Sequence, residues 1–291
     1  MKKPILTRIS DFFSLVKIAH TVFSLPFALI GFFLALKATN EPFSLQPLLL
    51  ILLCVLFARN AAMGFNRYAD RDIDKKNPRT ALREIPNNVI KPGSALIFVI
   101  VNALLFMVAS YFLNILCFFL SPAALLVILG YSITKRFTAL SHVVLGLGLA
   151  LAPIGAYIAI TARFDLLPVL YSFVVVFWVS GFDILYALQD IDFDKSQKLR
   201  SLPVALGKKN ALILSAALHA CSIFLVVTAG FYGRFGHYYW IGSAIFSILL
   251  VYEHFLVKPA DISRVNLAFA TMNGMASVIF ACFVIADLYL K

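Results

Sequence analysis

Apolar runs long enough to cross a bilayer follow one another along this chain, and no other property restricts its fold so severely. A helical span needs roughly 20 apolar residues, and nine such stretches occur, at 16–37, 45–66, 95–114, 116–134, 140–161, 167–189, 210–230, 238–257 and 266–288. Polar or helix-breaking residues divide them: Asn40-Glu41-Pro42, the basic stretch from Arg67 to Lys91, Asn114 alone, Lys135-Arg136, Arg163-Phe164-Asp165, Asp190 to Lys209, Gly233-Arg234-Phe235-Gly236, and Lys258-Pro259. The fold class is therefore all-α, a polytopic membrane protein of about nine transmembrane helices, in contact with lipid as its solvent. Composition agrees: 62% hydrophobic against 13% charged residues excludes a soluble domain, where charged residues make up about a quarter.

The first stretch opens with Lys17 and His20, and no small-residue cleavage site follows, so it is expected to remain as a helix and not to be removed as a signal. The four cysteines, Cys54, Cys117, Cys221 and Cys282, lie in apolar runs without C-x-x-C or His-paired spacing; buried, unpaired thiols are expected. Of the aromatic residues 28 are Phe and only 2 are Trp, so much of the interior or lipid face is built of rings that need no hydrogen bond.

Charge fixes the orientation. The excess of bases gives a net charge of +11, which in so apolar a chain is expected to orient loops and not to bind nucleic acid. With the N-terminus inside, twenty bases fall in cytoplasmic segments, among them Lys2, Lys3, Arg8 and Lys17, and four (Lys37, Arg163, Arg234, Lys291) fall on the other side. Arg59, the one base left, lies inside the second span.

The acids are clustered. Seven of the 14 occur in two segments, Asn66 to Asp74 and Asp183 to Asp194, each ending an apolar run at the cytoplasmic surface. At about 100° per residue, Asn66, Asp70 and Asp74 share one helical face while Asp72 points elsewhere; Asp183, Tyr186, Asp190 and Asp194 share a face in the second segment. Carboxylates four apart repel on a helix, so two such rows require positive charge between them. Oxygen donors without His or Cys suit Mg²⁺, which binds through one or two carboxylates plus phosphate oxygens. The plainer alternative is a solvated acidic helix end paired with local bases. Asp183, well inside an apolar run, is least easily explained that way. Bases at the same mouth would complete an anion site: Arg79, Arg83, Lys135-Arg136, Lys195, Lys198 and Arg200. Arg59 lies seven residues before Asn66, on the same face and two turns deeper, where an unpaired guanidinium is costly.

These segments resemble the two signatures of the UbiA superfamily of intramembrane prenyltransferases, N-x-x-x-D-x-x-x-D and D-x-x-Y-A-x-x-D-x-x-x-D. Asn66, Asp70 and Asp74 match the first; Asp183, Tyr186, Ala187, Asp190 and Asp194 match the second. The 120 residues from Asp70 to Asp190 fit that family's two related helical halves around a central cavity, in one membrane-embedded unit over 1–291 with cytoplasmic motif loops at about 67–94 and 190–209. Tyr131 to Thr138 (Tyr-Ser-Ile-Thr-Lys-Arg-Phe-Thr) and Ala152-Pro153-Ile154-Gly155-Ala156 are similar to the branch that prenylates 4-hydroxybenzoate. One departure is Arg79-Thr80-Ala81-Leu82-Arg83-Glu84-Ile85-Pro86, which keeps both arginines of the usual R-T-x-x-R-P-L loop and displaces the proline; it is similar to a subgroup whose acceptor is a menaquinone precursor.

The resemblance implies transfer of a polyprenyl group from polyprenyl diphosphate to an aromatic acceptor, with loss of diphosphate, at the cell inner membrane. It implies catalytic roles for Asp70, Asp74, Asp183, Asp190 and Asp194; Mg²⁺ held by Asn66, Asp70, Asp74, Asp190 and Asp194; diphosphate held by Arg79, Arg83, Lys135 and Lys195; and the acceptor held by Arg59, Asn66, Tyr131 and Tyr186. A cation-coupled transporter is the competing class, but transport sites sit near the bilayer midplane at broken helices, and these acids cluster at one surface. Phe118 and Phe119 are expected only to pack, and His219, His237 and His254 show no ligand spacing.

Overall fold

The computed structural model describes residues 5–290, and side chains from residue 11 onward apart from 18–20. Lys2 and Lys3, and the side chains of Arg8 and His20, lie outside what it describes. Among the described residues there is no strand, as expected where lipid offers the backbone no hydrogen-bond partner and each span must satisfy its own.

The chain opens with α1 (Ile5–Val16), a helix more amphipathic than the spans that follow, then a 3₁₀ turn over Ile18–Phe23 and α2 (Leu25–Thr39). The continuous helix expected from residue 16 is therefore corrected: the segments on either side of Ser24 meet at 50°. Two local causes are visible. Lys17 adopts a left-handed conformation with φ of 48°, and Pro26 sits in the first turn of α2, the only part of a helix that tolerates its missing N–H.

The remaining spans follow the apolar runs: α3 (Leu45–Ala69), which leads into the single turn α4 (Arg71–Asp74), α5 (Pro92–Leu113), α6 (Ile115–Thr134), α7 (Ser141–Thr161), and α8 (Leu166–Ala187), which a 3₁₀ turn joins to α9 (Ile191–Ser196). Then come α10 (Leu202–Tyr232), α11 (His237–Leu256) and, after a π-helical turn at Leu267–Met272, α12 (Asn273–Leu290). Eight helices among the described residues are long and apolar enough to cross a membrane, and the bent α1–α2 pair makes up to nine. The division between α5 and α6 does rest on Asn114. Its Oδ1 accepts from the Cys117 N–H at 2.9 Å, capping α6, and its Nδ2 donates to the carbonyls of Ile158 and Ala159 on α7 at 2.9 and 3.1 Å. α10 starts eight residues before the expected 210 because a turn capped by Ser201 precedes Gly207, whose φ of 76° and ψ of 165° break the helix where only glycine is at ease.

The second half packs around large rings: Phe27, Tyr171, Trp178, Tyr239, Phe246 and Phe280 are fully buried. The thiols are free, as expected, but none is fully buried: Cys54 and Cys117 are half-buried. Cys221 and Cys282 stand exposed on outward helix faces, where an apolar run facing lipid looks the same in sequence as one facing the core. α2 and α7 approach so closely at Gly31 that a Cβ there would lie 2.1 Å from the Pro153 carbonyl oxygen. Gly31→Ala must therefore move a backbone, not a side chain. We expect it to cost at least the 1–3 kcal/mol typical of overpacking, read as a lower thermal midpoint in detergent; an unchanged midpoint would show that the two helices can slide apart freely.

Candidate active site

Both motif segments run through a break in their helix. α3 ends at Ala69, and Asp70 adopts φ −91°, ψ 4° before α4 resumes; α8 ends at Ala187, and Asp190 adopts φ −103°, ψ 3° before α9. Asp70 and Asp190 thus hold matching conformations in a sparsely populated region that recurs at active sites. The rows are not uninterrupted helical faces, as periodicity implied. The turn at each break brings Asp70, Asp74, Asp190 and Asp194 to the rim of one cavity of about 650 Å³, which Asn66, Arg79, Arg83, Lys135 and Asp183 also line.

Three of these carboxylates face arginines. Arg79 Nη2 and Nε donate to Asp190 at 2.5 and 3.0 Å, and Arg79 Nη1 donates to the Tyr186 hydroxyl at 3.0 Å. Arg83 Nη1 donates to both oxygens of Asp74, at 2.7 and 2.9 Å. Arg136 donates to the Ala69 carbonyl at 2.5 Å and reaches Asp70 at 3.4 Å. Asn66 adds a donor to Asp70 at 3.3 Å. Burial raises the Asp70 carboxyl above the usual range, opposed by the nearby charges of Lys135 and Arg136.

The loop from 75 to 91 folds over the first motif and ties it to the second. Thr80 Oγ1 donates to the Asp74 carbonyl at 3.1 Å, while Asn77 Nδ2 crosses to Asp190 at 3.2 Å. On the other side Arg200 bonds the carbonyls of Lys135 and Phe137 at 2.8 and 2.7 Å, which sets the end of α6 against the second motif loop.

Of the remaining expected residues, Tyr131 lines the cavity, and Tyr186 lines it with its ring tilted by 33° against Phe269 of the π turn at a centroid distance of 4.3 Å. Arg59 also lines it, and two of its donors bond the carbonyls of Val16 and Lys17 at 3.0 and 2.8 Å, closing the end of α1. Lys195 is exposed on α9 and is not among the cavity residues; it follows Asp194 directly, about 100° around the same helix, and so points away from the cavity. Asp72 points outward as expected, with its side chain 82% exposed.

Several residues at the site escape sequence reasoning. Asn77 precedes a proline and reads as a turn signal. Arg136 is among the bases expected at the mouth, and only its pairing with Asp70, 66 residues away, escapes. Arg67, only 7% exposed, donates to Asn66 at 3.3 Å and keeps its Nε without a partner, yet a base at the end of a span reads as a topological charge. His142, on α7, bonds Asp183 on α8 at 2.7 Å, and only the helix pairing brings these residues together.

Among the described residues no three Asp, Glu, His or Cys side chains already converge as a metal cluster. The donor set nevertheless fits a hard cation that shares its shell with phosphate: it is all oxygen, and Asp194 Oδ1 is buried with no hydrogen-bond partner. Away from the polar rim the cavity lining becomes apolar, with Val55, Phe106, Leu113, Leu120, Ala152 and Phe164 among its residues.

Comparison with known proteins agrees with this geometry. A 4-hydroxybenzoate octaprenyltransferase of Paraburkholderia phymatum is 31% identical over 238 residues, covering 82% of this chain and 83% of its own. One of Francisella tularensis subsp. novicida is 27% identical over 231 residues, 79% and 81% of the two chains. Among solved structures, a UbiA homolog from Aeropyrum pernix superposes with a TM-score of 0.79 at 30% identity, over 93% of this chain and 97% of that one. A UbiA homolog from Archaeoglobus fulgidus bound to DMAPP and Mg²⁺ shares the fold, with a TM-score of 0.73 at 19% identity over 97% and 100% of the chains. The model of the UbiA prenyltransferase family matches residues 24–277, a range that takes in both carboxylate segments and the loop that joins them, and the chain is a prenyltransferase belonging to that family.

Proposed function

We propose that the protein transfers a polyprenyl group from its diphosphate to an aromatic acceptor in quinone biosynthesis, with 4-hydroxybenzoate as the acceptor. The observation that carries this reading is a single cavity with carboxylates and arginines at one end and apolar residues at the other. Such a cavity suits a ligand that is an anion at its head and a hydrocarbon along its tail.

The polar end would hold Mg²⁺ on Asn66, Asp70, Asp74, Asp190 and Asp194, where the ion would neutralise the diphosphate as it leaves. The chain's own cations do complementary work. Arg79 and Arg83, now bonded to Asp190 and Asp74, can turn from carboxylate to phosphate oxygens, and Lys135 adds charge beside them. This exchange frees the carboxylates as the anion arrives, so neither set of charges is left unpaired. Once the allylic C–O bond breaks, the prenyl cation needs shelter from water. Tyr186, Phe182 and Phe269 line that part of the cavity, and their ring faces favour positive charge.

Arg59 supports a carboxylate-bearing acceptor. It is a cavity-lining cation whose observed partners are backbone carbonyls, which leave its charge uncompensated. The twenty bases on one side of the membrane support an orientation with the N-terminus and motif loops cytoplasmic, at the cell inner membrane. The altered Arg83-Glu84-Ile85-Pro86 sequence favours a second acceptor class, a menaquinone precursor. Ile85 is buried against α1, and Ser14 of α1 donates to Glu84 at 2.5 Å, so the loop is fitted to its own surroundings.

The test is purified protein with a polyprenyl diphosphate and 4-hydroxybenzoate, 1,4-dihydroxy-2-naphthoate or a futalosine-type precursor. We expect 4-hydroxybenzoate to be prenylated, and Arg59→Ala to raise the acceptor KM more than the diphosphate KM. An acceptor carboxylate paired with Arg59 would be worth roughly 3 kcal/mol or more. Reaction of a non-carboxylate acceptor alone would reject the hydroxybenzoate assignment, and no transfer to any of the three would reject the whole reading.

A further inference from the structure

Asp183 differs from the other motif carboxylates in what it faces. Asp70, Asp74 and Asp190 each meet an arginine, whereas Asp183 meets His142, whose Nδ1 lies 2.7 Å from its Oδ2. Asp183 sits on α8 almost two turns inside the break at Asp190, lines the cavity, and has a side chain 22% exposed. His142, in the first turn of α7, is only 4% exposed.

The histidine is held on both sides. Its carbonyl accepts from Ser180 Oγ at 3.3 Å. One turn further on, Gly146 lets α7 close on α8, where a Cβ would lie 2.7 Å from the Val176 carbonyl oxygen. An ionised carboxylate only accepts, so His142 donates from Nδ1. Its Nε2 is buried with no partner. The imidazole orients Asp183, which, unlike Asp70, Asp74 and Asp190, lines the cavity with no arginine bonded to it.

We propose that Asp183 accepts the proton released from the ring of 4-hydroxybenzoate when the prenyl–carbon bond forms, with His142 as the positioning residue that holds it. This rests on the prenyl-transfer reading above. As the allylic C–O bond breaks, its electron pair leaves with diphosphate, and a ring electron pair makes the new C–C bond. The C–H pair at the substituted carbon then returns to the ring as the proton passes to the Asp183 carboxylate, which gives it to water when the product leaves.

The test compares the full-length wild-type protein with Asp183→Asn, His142→Asn and His142→Ala. Each is assayed with a polyprenyl diphosphate, Mg²⁺, and 4-hydroxybenzoate either unlabelled or deuterated at the ring carbons beside the hydroxyl. Losing a proton acceptor should lower the kcat of Asp183→Asn by on the order of 10²-fold or more, with the diphosphate KM unchanged. Deuteration should slow this variant and not the wild type, because proton loss becomes the slow step. His142→Asn keeps a donor near Nδ1 and should retain most activity, while His142→Ala falls between wild type and Asp183→Asn. The proposal is overturned if Asp183→Asn shows no isotope effect, or if both His142 variants fall equally with a lowered thermal midpoint. Wild-type protein that transfers nothing to 4-hydroxybenzoate would instead remove the acceptor reading, and this step with it.

Discussion

Asp190→Ala and Asp70→Ala are each expected to lower kcat for prenyl transfer by on the order of 10²-fold or more, as when a contact made chiefly in the transition state is lost. Asp190 is the junction of the two halves: it accepts from Arg79 twice and from Asn77 once, all three donors arriving from the first-half loop. Removing it frees Arg79 from the only carboxylate it bonds among the described residues, and leaves Asn77 Nδ2 without that acceptor. Asp70 holds the matching position and is almost fully buried, so alanine there also opens a space beside Asn66. Asp72→Ala is the internal control. It removes a carboxylate from the same segment, but one that points to solvent, and its rate should match wild type. Because both motif residues sit at helix breaks and not in the packed ring cluster, the variants should insert and melt close to the wild-type protein. Near-normal turnover in Asp190→Ala and Asp70→Ala would make the acids structural, or part of a transport path.

The spans were legible because lipid imposes a length on them, and their ends fell within a few residues wherever a polar residue stops the run, as at Asn114. Legibility failed where structure does not depend on apolar length. The break at Lys17 is a single left-handed residue, and the start of α10 is a polar helical turn ahead of Gly207. In the site, the four-residue spacing of Asn66, Asp70 and Asp74 was visible because those residues are neighbours along one helix. Lys195, expected from the resemblance, follows Asp194 directly on α9, about 100° around the helix, and points to solvent. Partners contributed by different helices leave no spacing at all: His142 and Asp183 are 41 residues apart, and His219 and His254, which carried no signal, bond each other at 3.0 Å across 35 residues.

Exhaustive chelation should abolish turnover, and Mg²⁺ or Mn²⁺ should restore it, without a change in thermal midpoint. The two halves of this expectation have separate causes. Turnover fails because a diphosphate entering the polar end meets five motif groups that are oxygen donors, four of them carboxylates, and the repulsion between like charges in a partly buried site is several times what it would be in water. Arg79, Arg83 and Arg136 cannot offset both sets of anions, since each is already committed to one carboxylate. Stability persists for the same reason. Those pairs, together with the bonds from Asn66 to Asp70 and from Asn77 to Asp190, hold the carboxylates in place by themselves, so folding does not wait on the cation. Diphosphate affinity should therefore fall with chelation while the melting curve stays where it was, a separation that a purely structural ion would not give. Prenyl transfer that continues undiminished in chelated, purified protein would exclude a bridging cation, and would leave the arginines as the whole of the diphosphate site.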